Sequence, residues 1–347
     1  MPADIILDQD PATLIIRRDK IPYNKPMQEK PLVSIITPSF NQAQFLEVSM
    51  RSVLEQDYPR IEYWVIDAKS TDGSLELIKS YGDRLTGWVS EKDKGQADGI
   101  NKGIKHSQGE IVAWLNSDDR YLPGAVSSAV SFFQKHPEAA FVYSDVESID
   151  EAGKSFNLMH YGRWKLADLM QFNIIGQPGV FMNRQVLDKA GFLDLNYHYL
   201  LDHHLWLRMA ALADPIYAQG QVWAQARVHN KAKNVADAEK FGPEAFRLAK
   251  WIGSDERFYP QNARYHRKIW AGAYRLNAFY MVDAGSPVQA HKLYKQGFKL
   301  DPWMALKHWK HWLLALAGSL GFKDIRAGYD ALRKRLYGSK RKDKNGA

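Results

Sequence analysis

Short apolar runs, separated by polar loops and by stretches of helical spacing, organise the first half of the chain. Residues 32–37 (Leu-Val-Ser-Ile-Ile-Thr), 61–67 (Ile-Glu-Tyr-Trp-Val-Ile-Asp), 85–90 and 111–115 (Ile-Val-Ala-Trp-Leu) each read as a strand. The run 111–115, bounded by Gly109 and by polar residues, is how a buried strand of a parallel sheet appears. Between them, residues 43–55, 74–80 and 95–107 carry helical spacing. Strand and helix in alternation predict parallel crossovers, and so a three-layer α/β sheet. Beyond Pro123 a helix is expected to about residue 136, and 141–149 alternates apolar and polar positions before the hairpin-like turn at 151–154. Parallel order should give way there to a mixed region. Residues 176–183 read as a loop entering a strand, 184–190 as a short helix, and 200–209 as another. On that last helix Asp202 and Trp206, four residues apart, share a face.

From about residue 236 strand signals vanish. Helical periodicity covers 264–282, 287–300, 303–320 and 325–337, with breaks at 285–287 and 301–302. Residues 283–302 resemble one helical hairpin of the tetratricopeptide kind; one unit cannot make a solenoid, so a helical packing domain is expected. The division is therefore an N-terminal arm (1–30, with Pro22 and Pro26 breaking any helix), an α/β domain (31–235) and a helical domain (236–347) with a basic tail. The tail holds nine Lys/Arg against three Asp between positions 323 and 344.

Composition narrows the picture. The chain has 347 residues, enough for one large domain and a smaller one, with 45% hydrophobic and 25% charged residues, as in an ordinary globular protein. The absence of cysteine excludes disulfides, thiolate chemistry and thiolate zinc sites. A net charge of +8 is compatible with nucleic acid, an anionic membrane surface or phosphorylated substrates, and selects none of them. No secretory leader or 18-residue apolar span is visible, so a cytoplasmic location is the simplest expectation.

The candidate chemistry lies at the strand ends. The run 111–115 stops at Asn116, Asp118 and Asp119, and the loops carrying Asp67, Asp93 and Asp118 converge on one edge of the sheet. Open α/β sheets bind ligands at the carboxyl ends of their strands. Neighbouring carboxylates there repel unless a cation or a hydrogen-bond network separates them, although Asn, Ser and Asp also favour plain turns.

Six ordered pieces carry a resemblance to a known family. They are Val-Ser-Ile-Ile-Thr-Pro-Ser-Phe-Asn (33–41), Ser-Val-Leu-Glu-Gln-Asp-Tyr-Pro (52–59), Val-Ile-Asp-Ala-Lys-Ser-Thr-Asp-Gly (65–73), Ser-Glu-Lys-Asp-Lys-Gly-Gln-Ala-Asp-Gly-Ile-Asn-Lys-Gly (90–103), Gly-Glu-Ile-Val-Ala-Trp-Leu-Asn-Ser-Asp-Asp (109–119) and Asp-His-His-Leu-Trp-Leu-Arg (202–208). Residues 31 to about 235 resemble the inverting family 2 glycosyltransferases of the GT-A fold, in a sub-branch common in bacterial lipopolysaccharide and capsule synthesis. The resemblance implies that Asp67 accepts a hydrogen bond from the nucleobase of a nucleotide-sugar donor, most simply a UDP-sugar. Thr37, Pro38 and Phe40 would line the nucleoside pocket. Asn116, Ser117 and Asp118 stand where the family has its Asp-x-Asp motif, which binds a divalent Mn or Mg ion on the donor diphosphate. Asn116 contributes no charge, so Asp118 would carry most of that affinity, with His229 as a further ligand. Asp119 would hold the loop or a sugar hydroxyl, Lys69 would reach a phosphate, and Asp98 would hold the donor sugar or a phosphate-binding cation. Arg208 would pair with the diphosphate or a neighbouring acid. Asp202 matches the general base, which deprotonates the acceptor hydroxyl; it also suits a helix N-cap. Gln177 and Trp206 would lie on the side of a glycan or lipid-linked acceptor.

The helical domain lies outside that resemblance. Trp303, Lys307, Trp309, Lys310 and Trp312 mix aromatics with cations, as interfacial helices and packed Trp-rich helices both do, and with the basic tail they suggest contact with anionic lipid. Other classes fit less well. A dinucleotide oxidoreductase wants Gly-x-Gly-x-x-Gly after the first strand, where this chain has Pro-Ser-Phe-Asn. A nucleic-acid binder needs a basic reading face, and only the tail offers one, so no nucleic-acid partner is expected. A non-catalytic carbohydrate- or nucleotide-binding descendant of the same fold is the alternative that Asn116 and Leu201 favour, since both depart from the family at the site.

Overall fold

The structure is a computed structural model that describes residues 30–322, apart from Pro260 and the side chains of Ala305 and Leu306. The N-terminal arm, the expected helix at 325–337 and the basic tail lie outside the described residues.

The chain begins as the apolar runs require. Strand β1 (Val33–Ser39), helix α1 (Ala43–Leu54), β2 (Ile61–Asp67), α2 (Ser74–Ser80), β3 (Gly87–Ser90), α3 (Gln96–His106) and β4 (Ile111–Trp114) alternate in order. A two-residue β5 (Arg120–Tyr121) and α4 (Ala125–Lys135) follow, then β6 (Phe141–Ile149), β7 (Ser155–Met159), α5 (Leu166–Met170), β8 (Val180–Asn183), α6 (Arg184–Ala190), α7 (Leu201–Ala210) and β9 (Ile216–Arg227). Strands β3, β2, β1 and β4 are parallel neighbours. β8 then runs antiparallel between β4 and β6, β9 pairs parallel with β6, and β5 and β7 add antiparallel edges. The sheet is thus parallel in its first half and mixed in its second.

Strand alternation separates two cores. Ile36, Ile66, Val112 and Trp114 face one side with α3, α5, α6 and α7, whereas Val33, Ile35, Tyr63, Val65, Ile111 and Ala113 face the other with α1 and α4. Gly103 lets α3 lie against β1, because a Cβ there would come 2.4 Å from the Ile36 side chain. Apolar and polar residues alternate along β6, yet every residue of it is buried. Its polar side chains are bonded inside the protein: Asp145 accepts from Tyr161 N (3.0 Å) and Tyr217 OH (2.6 Å), and Glu147 from Ser155 Oγ (2.7 Å).

After β9 come α8 (Lys233–Ala236), α9 (Phe241–Ser254), α10 (Gln261–Asp283), α11 (Pro287–Leu300) and α12 (Pro302–Ser319). Phe241, Ala245, Leu248 and Ile252 of α9, with Ile269, Ala273 and Leu276 of α10, belong to the same apolar cluster as Trp206 and Ile36. The second half of α10 forms a small separate cluster with α11 and α12, around Met281, Ala290, Tyr294 and Ala315. No helix among the described residues is long and apolar enough to cross a membrane.

Candidate active site

The parallel register aligns the functional edge. Ser39 of β1 pairs with Asp67 of β2, and Asp67 with Ser90 of β3, so all three end in one row at the carboxyl edge. Asp67 is fully buried and accepts from Ser90 Oγ (2.6 Å) and Ser70 N (3.1 Å), which fixes its carboxylate at the mouth of the sheet. Thr37 Oγ1 and Tyr63 OH lie 2.9 Å apart beneath it, while Phe40 is exposed. The following turns lock onto each other: Asn41, at φ 52°, accepts from Thr71 N, and Asp72 accepts from Ala43 N and Ser74 N. Lys69 sits in this turn at φ 61°, exposed beside the Asp67–Ser70 contact.

At the end of β4, Asn116 sits in a network of amide side chains. Asn116 Oδ1 accepts from Gln96 Nε2 (2.7 Å), and its Nδ2 donates to Asp119 Oδ2 (3.3 Å) and Gln177 Oε1 (3.2 Å). Gln177 in turn donates to the Trp114 carbonyl (2.7 Å), tying its loop to the strand end. Ser117 is buried between these groups in the chain. Asp119 accepts from Arg227 N (2.9 Å); burial, reinforced by the charge of Asp118, raises its pKa well above the carboxylate range. It holds the loop. Asp118 instead points its Oδ2 at His229 Nε2, 3.0 Å away, and His229 is buried against Phe45 with ring centroids 4.9 Å apart. Among the described residues no group of three or more His, Asp or Glu assembles as a metal site.

The base candidate sits in the first turn of α7. Asp202 is largely shielded, its Oδ1 accepting from His203 N (2.7 Å), and burial lifts its pKa to about 6. The charge of Glu244 raises it further, against Lys233, which lowers it. Leu200, the N-cap of α7, makes no side-chain bond; Glu244 of α9 instead holds the segment just ahead of the helix. Its carboxylate accepts from His198 N, Tyr199 N and Leu200 N at 2.8–2.9 Å. Neither Glu244 nor Lys233 was singled out from the sequence. Nothing local marks them: one is an acid in an ordinary amphipathic helix, the other one lysine among several after His229.

Two expectations are corrected. Trp206 is fully buried, stacked on Trp114 at 5.3 Å and beside Phe141 at 5.1 Å, so it belongs to the core and offers nothing to an acceptor. Within one turn the helix passes from the half-buried Asp202 to the fully enclosed Trp206. Arg208 is buried and gives its guanidinium to the carbonyls of Ala190 (2.7 Å), Gly191 (3.1 Å) and Phe192 (2.7 Å). It closes the C-terminal end of α6, where the carbonyls are unpaired, and does not reach a diphosphate. Asp98 accepts from Lys94 N (3.0 Å) and lies 3.6 Å from Lys102, an ion pair within α3.

The fold thus presents polar groups at the carboxyl ends of its parallel strands and a shielded carboxylate, Asp202, in the first turn of α7. The family described as Glycosyl transferase family 2 matches residues 34–187. The chain is 29% identical over 209 residues to an uncharacterized glycosyltransferase of Rickettsia typhi, covering 58% of this chain and 65% of that protein. It is 27% identical over 209 residues to the putative teichuronic acid biosynthesis glycosyltransferase TuaG of Bacillus subtilis, covering 58% of this chain and 81% of TuaG. It spans just under two thirds of the length of the first curated relatives it matches, 65% and 64%. Among solved structures it is similar to S. aureus TarS in complex with UDP-GlcNAc (TM-score 0.55, 14% identity, 84% of this chain and 92% of that one). It is also similar to a mannosyltransferase of Pyrobaculum calidifontis in complex with GDP-Man and Mn2+ (TM-score 0.56, 20% identity, 86% and 90%). These likenesses show the GT-A fold, and residues 34–187 are similar to glycosyl transferase family 2.

Proposed function

We propose that this protein moves a sugar from a nucleotide-activated donor to a hydroxyl of an acceptor glycan, with inversion at the anomeric carbon. The observation that carries this reading is Asp202, a shielded carboxylate with a pKa of about 6, whose charge and that of Asp118 both act on the Lys233 amine. A base poised near neutrality is what deprotonation of a sugar hydroxyl needs.

Asp67 accepts from a ring N–H of the nucleobase, and Thr37, Pro38 and Phe40 frame the nucleoside. Asp118 and His229 suit a Mn or Mg ion. Such ions take few protein ligands and complete their shell with phosphate oxygens and water. Asn116 is a poorer ligand, because its amide oxygen already accepts from Gln96. When bound, the ion neutralises charge on the departing diphosphate. Asp202 takes the proton of the acceptor hydroxyl as that oxygen attacks the anomeric carbon. The bond to the diphosphate breaks on the opposite face, so configuration inverts without an enzyme nucleophile.

The UDP-GlcNAc of TarS and the GDP-Man of the mannosyltransferase support UDP- and GDP-sugars as first donors to try. The TuaG likeness supports a polysaccharide of the teichuronic acid kind as the acceptor. A peripheral position at an anionic membrane fits the outer face of α12, where Trp303 and Trp309 are 72% and 50% exposed beside Lys307 and Lys310, followed by the basic tail. Calorimetric titration of UDP, GDP and dTDP, with Mn and with chelator, tests the reading. One nucleotide should bind at micromolar level with Mn, and Asp118→Ala should remove the metal dependence. If no nucleotide binds, the transferase reading fails. Binding without any donor turnover would favour the non-catalytic descendant.

A further inference from the structure

Lys233 opens the short helix α8, just after the end of β9, and its amine is held over the functional edge. It donates to Gln96 Oε1 (2.7 Å) and to the His198 carbonyl (3.2 Å). The other end of the Gln96 amide donates to Asn116 Oδ1 (2.7 Å), so the amine is tied through one side chain to the loop that carries Asp118. Its surroundings are acidic: Glu244, Asp237, Asp202 and Asp118 all act on it, while the protein around the amine works against its charge although the residue as a whole is exposed.

Three other cations of this region are spent on fixed partners. Arg227 bonds the carbonyls of Asp118, Asp150 and Glu151. Arg208 closes the end of α6. Lys102 pairs with Glu91 at 2.8 Å and bonds the Lys92 carbonyl. Lys233, in contrast, is bonded to two neutral oxygens, and an ammonium carries a third hydrogen to give. The net charge of the edge points the same way. Asn116 removes one carboxylate where a metal would sit, which weakens the pull on a divalent ion and leaves the diphosphate short of positive charge. A point charge on a flexible stem suits phosphate oxygens, and such a contact strengthens as negative charge builds on the leaving group.

We propose that Lys233 is the protein's own cation for the donor diphosphate, poised on Gln96 and the His198 carbonyl between the loop of Asp118 and the base Asp202. This rests on the transferase reading given above. Lys233 is therefore a binding residue for the phosphates, with Gln96 positioning its amine.

The test uses the full chain and titrates UDP, GDP and dTDP beside uridine, guanosine and thymidine, each with Mn and with chelator. For the diphosphate that binds, Lys233→Ala should weaken affinity roughly ten- to hundredfold, the scale of a lost charge-assisted contact, and leave the matching nucleoside unchanged. Lys233→Arg should keep most of the affinity, and the Ala variant should show a shallower dependence on salt. An unchanged diphosphate affinity in Lys233→Ala overturns the proposal, as does an equal loss for nucleoside and diphosphate, which would mark a merely structural tether. Failure of the wild-type protein to bind any diphosphate is a separate outcome: it removes the transferase reading, and this inference with it.

Discussion

Asp202→Asn should separate activity from stability. The pKa of Asp202 rises from an ordinary 3.8 to about 6, chiefly through burial. Fully desolvated, such a rise corresponds to about 3 kcal/mol of cost for carrying the charge in the folded state, at ~1.4 kcal/mol per tenfold. Asp202 retains some solvent contact, so about 1–3 kcal/mol is expected. The sign follows from linkage. A folded-state pKa raised above the unfolded one gives stability that is present below pH 3.8 and lost as pH rises through about 6. Asn resembles the protonated acid and keeps an oxygen to accept from His203 N, so the variant escapes that loss. Denaturant unfolding between pH 4 and pH 8 should show a gap near zero at the acid end. It should widen to about 1–3 kcal/mol in favour of Asn above pH 7. Turnover should fall about 10²–10⁴-fold, since the amide takes no proton. The reasoning is refuted if the variant is less stable at pH 7.5, or if the gap is the same at every pH.

Three further outcomes follow from particular contacts. Glu244→Ala strands three backbone N–H groups ahead of α7 and should cost roughly 2–4 kcal/mol by denaturant unfolding. Removing that charge should also move the acid limb of the rate profile to lower pH, because Glu244 raises the pKa of Asp202. Trp206→Ala should cost about 3–5 kcal/mol, the price of an emptied core position, where an acceptor-contact role would leave stability intact and raise the acceptor KM alone. Gly103→Val should shift α3 off β1 and lower the melting temperature, since even a Cβ meets Ile36 at 2.4 Å.

The parallel half of the sheet was legible because β1, β2 and β4 are short, mostly apolar runs that the sheet buries. Ile61–Asp67 and Phe141–Ile149 match the expected bounds, and β1, β4 and α3 differ by a residue or two. Strand β9 was missed: Gly220 at φ 79° interrupts it, and a shift of register against β6 breaks its alternation. Helix α9 was missed although Phe241, Ala245, Leu248 and Ile252 recur at helical spacing and join the main apolar cluster. At the edge, Asp67 and Asp118 stand at strand ends where a run of apolar residues stops, a signal carried by the sequence. The pairing of Asp118 with His229 spans 111 positions and was suggested only by resemblance. Lys233 and Glu244 act through contacts between distant elements, and Trp206 and Arg208 misled because residue type and helical spacing do not say how deep a helix runs.

Donor turnover tests the central claim most directly. Wild-type protein and Asp202→Asn would each be incubated with UDP-, GDP- and dTDP-sugars in the presence of Mn, and release of the nucleoside diphosphate followed over time. The account predicts that the wild type releases the diphosphate from one donor class and that Asp202→Asn does so at least a hundredfold more slowly, at the low end of what a general base contributes. Release at the same rate by both proteins, or by neither, would contradict it.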